Sequence, residues 1–385
     1  MKIKTITCHD VYNYGASLQA YALQTYLQNK GHEVEIIDYL PYYRPDRLDW
    51  FNYKRTKGKL HKIANKLPFI KPLIALYDHV NTLEKISCIR FIGKKKVFDE
   101  FKKNMLNCTS KSFRNIDELS NNSFDADLYI AGSDQIWNSV GTNGKDPSYY
   151  CAFAHKGMRC ISYAASFGTS YIPDDQKCFV SQQLKKFSAI SVRESSGVEI
   201  LNSLGFHSFE VMDPVFLLDT DEWKKICRKR HKEKYLLVYD LTMNHPGIKK
   251  MSLYLSKKND WKIYSINDFK QCPYADYNIN NAGPIDFLEW IMDAQYVICS
   301  SFHGTAFSIL FGKQFYTFPL FQQNNYSRMK DFLHKIELDK HFIMDEPCVK
   351  DLEKIDYNLV EPLLCKYIEE SRSWLDLNVS NNSNI

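Results

Sequence analysis

Short apolar runs rich in β-branched residues alternate with segments of helical spacing along most of the chain. Residues 2–7 predict a strand, and 8–15 a polar loop. Residues 17–28 carry Leu18, Tyr21, Ala22, Leu23, Tyr26 and Leu27 at helical spacing, and 33–39 alternate as a second strand. The rhythm stops over 41–107 and returns with strand-like runs at 127–131, 159–165 and 189–192. Residues 184–187 look helical, 210–216 close this first series, and a helix with an acidic first turn begins at Thr220. A second series follows: strand 235–239, helix 247–257, strand 261–266, helix 284–292 and a buried strand from Tyr296. An apolar helical run through Phe311 ends at Gly312, placed as a C-terminal cap, and 315–318 start another strand. Residues 322–329 read as a polar loop, 330–336 as a helix, 351–376 as one or two closing helices, and 378–385 as a polar tail. Strands alternating with helices predict the α/β class with parallel sheets.

In open sheets of this kind ligands bind at the carboxyl ends of strands, where helix N-termini present unpaired N–H groups to anions. His303 stands at such a place, within Ser300-Ser301-Phe302-His303-Gly304, either as a reactive group or as a capping and packing residue. Gly132-Ser133-Asp134-Gln135 follows the strand at 127–131; Asp134 there serves as a base, as an acceptor for a sugar hydroxyl, or as a turn or N-cap residue. Arg193 follows the strand at 189–192, suited to bidentate binding of a carboxylate or phosphate, with a structural Arg193–Glu194 pair as the alternative. Asn13 and Gly15 lie in the first loop, where the glycine permits close approach of a ligand. That loop lacks G-x-G-x-x-G, so a dinucleotide is not indicated.

At 385 residues the chain suits two domains. Its eleven cysteines form no C-x-x-C pair and no Cys/His cluster at metal spacing, which fits reduced thiols of a cytoplasmic protein without a bound metal. The N-terminus has no long apolar segment, and no stretch reaches the length of about 20 apolar residues needed to span a bilayer. Net charge is +5, yet residues 41–107 hold 16 Lys/Arg against 6 Asp/Glu, leaving −5 for the rest. There Tyr42, Tyr43, Trp50, Phe51 and Tyr53 are interleaved with basic residues, which predicts an inserted helical arm that contacts a membrane surface or the acceptor, or simply a solvated basic face. No nucleic-acid-binding signature accompanies it, and no nucleic-acid partner is expected.

Several segments taken in order resemble the polysaccharide pyruvyl transferase family. They are 13–16 (Asn-Tyr-Gly-Ala), 131–138 (Ala-Gly-Ser-Asp-Gln-Ile-Trp-Asn), 163–168 (Tyr-Ala-Ala-Ser-Phe-Gly), 191–194 (Ser-Val-Arg-Glu), 213–218 (Asp-Pro-Val-Phe-Leu-Leu) and 300–304 (Ser-Ser-Phe-His-Gly). The resemblance covers roughly 1–340 apart from the arm. It implies a GT-B-like fold of two Rossmann-like domains, here 1–218 with a helical insertion at about 41–107, and 219–345, followed by closing helices and a tail at 346–385. It implies transfer of pyruvate from phosphoenolpyruvate to a sugar of a cell-surface or capsular/exopolysaccharide precursor, free or lipid-linked, forming a cyclic ketal with no cofactor beyond the co-substrate. The family histidine corresponds to His303 and its phosphoenolpyruvate arginine to Arg193, with Asp134 assigned to a sugar hydroxyl. Substrate contacts are expected from Asn13, Gly15, Gly132, Ser133, Gln135, Trp137, Ser166, Glu194, Ser300, Ser301, Gly304 and Arg328. Some members carry arginine two positions before the histidine, where this chain has Ser301. Anion binding must then rest on Arg193, Arg328, the serines and helix N–H groups. A nucleotide-sugar glycosyltransferase on the same scaffold and a non-catalytic glycan-binding protein are the competing readings.

Overall fold

The computed structural model describes residues 1–43, 89–242, 244–267, 271–320, 327–344, 347 and 352–380. Two parallel sheets organise them. The first contains β1 (Lys2–Ile6), β2 (Glu33–Tyr39), β3 (Cys108–Phe113), β4 (Leu128–Ala131), β5 (Arg159–Ala165), β6 (Ala189–Val192) and β7 (Phe209–Glu210), in the order β3-β2-β1-β4-β5-β6-β7. The second contains β8 (Tyr235–Tyr239), β9 (Lys262–Ile266), β10 (Tyr277–Ile279), β11 (Tyr296–Cys299) and β12 (Gln314–Thr317), in the order β10-β9-β8-β11-β12. Strands β4, β8 and β11 are buried along their whole length, as parallel strands covered on both faces must be.

The helices are α1 (Tyr14–Asn29), α2 (Ile89–Met105), α3 (Ile116–Ser120), α4 (Asp174–Leu184), α5 (Ser195–Ser203), α6 (Thr220–Ile226), α7 (Pro246–Asn259), α8 (Pro284–Asp293), α9 (Phe302–Leu310), α10 (Ser327–Lys335) and α11 (Tyr357–Ser380). Strand order reverses between β1 and β4 in one sheet and between β8 and β11 in the other, which opens a crevice at the carboxyl ends of each.

The two halves share one hydrophobic core. It joins Leu18 and Leu23 of α1 to Trp223 of α6, Phe287 of α8 and Phe307 of α9. Tyr14 stacks on Phe287 with centroids 4.5 Å apart, and its hydroxyl donates to the Ala282 carbonyl at 3.2 Å. Helix α11 straps the halves together. The Tyr357 hydroxyl donates to the Lys313 carbonyl at one end, while Ser371 and Arg372 bond the backbone at Met212 and Leu217, and Asp376 accepts from Tyr26 and Lys30.

Several boundaries differ from the pattern reading, and the helix expected at 184–187 lies earlier, as α4, which ends at Leu184. Helix α1 starts three residues earlier because Asn13 caps it, its side chain accepting from Ala16 N at 3.0 Å, so Gly15 belongs to the first turn rather than to a loop. Helix α10 starts at Ser327, which puts Arg328 on a helix. Residues 378–380 continue α11, held by Arg159 donating to the Asn378 carbonyl at 2.6 Å. Most of the arm, 44–88, lies outside the described residues, as does the end of the tail. The arm's last part is α2, whose Phe98 and Phe101 enter the shared core. Exposed lysines on α2 pair at i,i+4 with Asp99 and Glu100, so part of the basic excess is a solvated helix face. Gly312, by contrast, adopts φ +61° just past α9, the left-handed cap the sequence predicts.

Candidate functional site

The two crevices face each other across one cleft. Asn13, Gly15, Asp134, Gln135 and Arg193 line it from the N-terminal half; Ser300, Ser301, His303 and Arg328 line it from the C-terminal half. Most of the chemistry-bearing residues singled out from sequence therefore converge on one surface.

His303 sits in the first turn of α9 and packs edge-on against the opposite half. A Cβ built on Gly15 would stand 1.9 Å from His303 Nδ1, so only glycine admits the ring there. Nε2 lies 3.5 Å from Asp213 Oδ2, short of a formed hydrogen bond, and is buried without a hydrogen-bond partner. Ser301 caps α9, accepting from Gly304 N at 3.3 Å. Ser300 turns inward, donating to Asp240 Oδ1 at 3.1 Å while accepting from Leu241 N at 3.0 Å, which ties β11 to β8.

Asp213 holds the centre of this cluster. It is fully buried in the turn after β7, where Oδ1 accepts from Val215 N at 3.1 Å. Its Oδ2 accepts from Arg193 Nη1 and, at 3.4 Å, from the Ser133 hydroxyl. Burial would raise this carboxyl, but His303 and Arg193 outweigh burial and hold it well below the ordinary carboxylate range. Arg193 is itself buried, with Nη2 3.8 Å from Asp134 Oδ1, its guanidinium 5.0 Å from the centre of the Phe302 ring, and Nε unpartnered. Burial works against its charge, while Asp213, Asp134 and Glu194 push its pKa further up.

Arg328 approaches from α10. Its Nη1 donates to the Ser166 hydroxyl at 3.4 Å, and among the described residues no carboxylate lies within 4 Å of it. Burial and the facing Arg193 bring its guanidinium down to about 10, so it remains cationic at neutral pH. Two guanidiniums, one from each half, thus meet beside His303.

Asp134 takes φ +70°, ψ −177°, a region costly for any residue with a Cβ. Its carbonyl accepts from Ile136 N and Ser166 N, so turn hydrogen bonds impose the conformation, and the carboxylate stays on the cleft wall. Its expected role as a side-chain N-cap is absent.

Six residues expected to touch substrate stand behind the wall instead. Trp137 is fully buried, stacked on Tyr150 at 5.4 Å and donating to the Tyr149 carbonyl. Glu194 accepts through Oε1 from the Ser166 hydroxyl and from Phe167 N and Gly168 N, which fixes that turn and also displaces the Arg193–Glu194 pairing reading. Ser133 supports Asp213, and Ser166 supports Glu194 and Arg328. Gly132 lies at the β1–β4 seam, where a Cβ would come within 3.0 Å of Thr7, and Gly304 packs against Cys299.

The residue-by-residue reading missed Asp213, Asn138 and Asn143. The signal for Asp213 was Asp-Pro directly after a strand; Asn138 lay inside a quoted motif, while Asn143 comes from a loop with no local signal.

A second polar cluster lies beside the cleft. His9, Asp38 and Cys108 bring one ligand atom each within 4.8 Å, from three elements too far apart in sequence to show metal spacing. His9 Nδ1 faces the Thr7 carbonyl at 3.2 Å and Nε2 faces Asp38 Oδ1 at 2.9 Å; both partners only accept, so both ring nitrogens carry protons. Asp38 also accepts from Lys102 at 2.6 Å and Ser112 at 2.5 Å. The donor set is therefore occupied by a charged hydrogen-bond network. Burial opposes the imidazolium, but the Asp38 bond and the Cys108 contact push His9 up to about 10. Every described cysteine is free, and among the described residues no helix is long and apolar enough to cross a membrane.

No curated protein sequence matches the chain. Among solved structures it is similar in fold to the S. aureus MnaA–UDP co-structure, at 11% identity, covering 100% of this chain and 99% of that one, with a TM-score of 0.50. It is also similar to the UDP-GlcNAc 2-epimerase of Methanocaldococcus jannaschii (10% identity, 96% and 92% covered, TM-score 0.46) and to the spinosyn forosaminyltransferase SpnP (11%, 98% and 95%, 0.44). These likenesses are of fold, and the fold is GT-B-like. The sequence pattern described as polysaccharide pyruvyl transferase matches residues 13–319, from the cap of α1 past β12, and so takes in most of the cleft lining, apart from the loop after β1 and α10 with Arg328. On that match, the chain belongs to the polysaccharide pyruvyl transferase family, a family of transferases.

Proposed function

We propose that the protein transfers pyruvate from phosphoenolpyruvate to a sugar residue of a cell-surface or capsular/exopolysaccharide precursor, forming a cyclic ketal and releasing phosphate. The observation that carries this is the meeting of Arg193 and Arg328, from opposite halves, beside His303, whose Nε2 faces Asp213 at 3.5 Å without a formed hydrogen bond. A ligand with two anionic ends suits two guanidiniums that otherwise repel each other, and phosphoenolpyruvate carries a carboxylate and a phosphate. The carboxylates of Asp213 and Glu194 stand behind the wall, bonded to Arg193 and to backbone N–H groups, so Asp134 is the one carboxylate that shares the described cleft lining with the two cations.

Protonated His303 donates to the methylene carbon, which becomes the methyl group, while positive charge develops on the neighbouring carbon. A sugar hydroxyl adds there and its proton returns to His303. The second hydroxyl then displaces phosphate, and its proton leaves with the phosphate. Positioned proton transfer of this kind contributes about 10²–10⁴-fold. Asp134, with the amides of Gln135, Asn138 and Asn143 nearby on the wall, forms the hydroxyl-binding side. The chemistry calls for no cofactor beyond the co-substrate. A lipid-linked acceptor at the cytoplasmic face of the membrane would give the basic arm its role; binding to vesicles that ignores anionic lipid would remove that part.

The test is thermal shift with phosphoenolpyruvate against a panel of nucleotide sugars, joined to phosphate release, on wild type and His303→Ala. Stabilisation by phosphoenolpyruvate alone is expected, since ligand bound to the folded state raises the midpoint by mass action. Phosphate release should fall at least a hundredfold in the variant. Stabilisation by a nucleotide sugar instead would overturn the donor assignment, and near wild-type turnover by His303→Ala would overturn the role of the histidine.

A further inference from the structure

Arg328 is held in an unfavourable place. It is half-buried, faces Arg193, and among the described residues has only a long bond to Ser166. What keeps it there lies further along its own helix. Residues 328, 331, 332 and 335 share one face of α10, at spacings i, i+3, i+4 and i+7. Asp331 Oδ2 accepts from the Ser195 hydroxyl at 2.8 Å, and Lys335 Nζ meets Glu210 Oε2 at 2.5 Å. Both partners belong to the N-terminal half, at the start of α5 and on β7. Between them Phe332 packs against Phe216 and Phe302 with ring centres 5.2 and 5.8 Å away.

We propose that Asp331 and Lys335 are positioning residues: they dock α10 onto the N-terminal half and thereby deliver Arg328 to the anion end of the cleft. The inference rests on Arg328 serving an anion there, as the transfer reading holds, but not on that anion being phosphoenolpyruvate. Docking and anion binding are then coupled, because an anion relieves the Arg193–Arg328 repulsion that docking must otherwise overcome. Lys335 does not line the main cleft; it lines a smaller pocket on the other side of Arg193, and seven residues of helix put its Cα about 10 Å from that of Arg328.

The experiment is calorimetric titration of inorganic phosphate and of phosphoenolpyruvate into wild type, Lys335→Met, Arg328→Gln and the double variant, with a melting temperature for each. Lys335→Met is expected to weaken phosphate binding about tenfold, as fits a half-buried ion pair whose loss shifts a two-state docking equilibrium. In the Arg328→Gln background the same change should do nothing further. Distant side chains normally contribute independently, so this failure of additivity is a signature that a merely structural role would not give. Unchanged affinity in Lys335→Met, or losses that multiply in the double variant, would overturn the proposal. So would a wild type that binds neither anion. If Lys335→Met does not fold, Asp331→Asn tests the same face with the same expectation. Phosphate binding that follows this pattern without turnover of phosphoenolpyruvate would remove the transfer reading and leave this one standing.

Discussion

Replacing Gly15 with alanine should separate the chemistry from the fold. The new Cβ would lie 1.9 Å from His303 Nδ1 and 2.4 Å from Cγ and Cε1. Reaching an ordinary contact of 3.4 Å needs a shift of about 1.5 Å, the difference of the two distances. Helix α1 cannot supply it, because Asn13 caps its start and Tyr14 is stacked on Phe287 and bonded to Ala282. The imidazole must therefore withdraw. A misplacement of about 1 Å costs around 10²-fold where a group must meet a reacting atom, so turnover should fall by about 10²–10³-fold. Alanine in the first turn of a helix is no worse than glycine and gains up to about 1 kcal/mol, so the melting temperature should change little. Phosphate release from phosphoenolpyruvate with a sugar acceptor, beside a thermal melt, reads both. The Gly15→Ala/His303→Ala double variant should be no slower than His303→Ala, since both act through one ring. Gly15→Ala within threefold of wild type, or a further loss in the double variant, would refute the placement of His303 as the reacting group.

Asp134→Gly relieves a conformation costing about 1–3 kcal/mol and should raise the melting temperature by about 2 °C while lowering activity; a lower melting temperature would contradict the strain. Asp213→Asn keeps the Val215 cap but takes from the buried Arg193 its one bonded carboxylate, leaving Asp134 at 3.8 Å, and should cost about 3 kcal/mol in a chemical denaturation experiment. Because the Asp213 pKa is depressed on folding, that contribution is present in wild type above the unfolded value of about 4 and is lost as pH falls through the folded one. His9 is raised, so its contribution is full below the unfolded value of about 6.5 and is lost as pH climbs through about 10; urea midpoints should decline over that window in wild type and stay flatter in His9→Gln.

The α/β class, and with it the switch points, could be read because parallel strands advertise themselves as short apolar runs, as in 235–239 and 296–299, and because Gly312 marks the end of α9. Strand β3 could not, since Cys-Thr-Ser-Lys-Ser-Phe is polar and half-exposed at a sheet edge, where pairing with β2 and not burial makes it a strand. The site divided along a similar line. Residues just past a strand, His303, Arg193 and Asp134, were legible by position, because topology puts them at the cleft. Whether a side chain there turns outward was not. Trp137, Ser133 and Glu194 sit in the same loops and turn inward to hold Tyr149, Asp213 and the Ser166–Gly168 turn, partners distant in sequence.

The division of the site between two halves has a mechanical consequence. Arg193 and Asp213 come from one half, His303 and Arg328 from the other, and the contacts that orient them cross the seam: His303 against Gly15 and Asp213, Arg328 against Ser166. On the roles proposed above, neither half alone would hold an acid/base group beside an anion-binding pair. If those roles hold, the shared core through Tyr14, Trp223 and Phe287, and the strap formed by α11, contribute to turnover as well as to stability, because they set the registration of the halves. Each buried aromatic at that seam contributes about 1.5–3 kcal/mol by area. Truncating one should lower both melting temperature and turnover, whereas a change confined to the far face of either sheet should lower only the first.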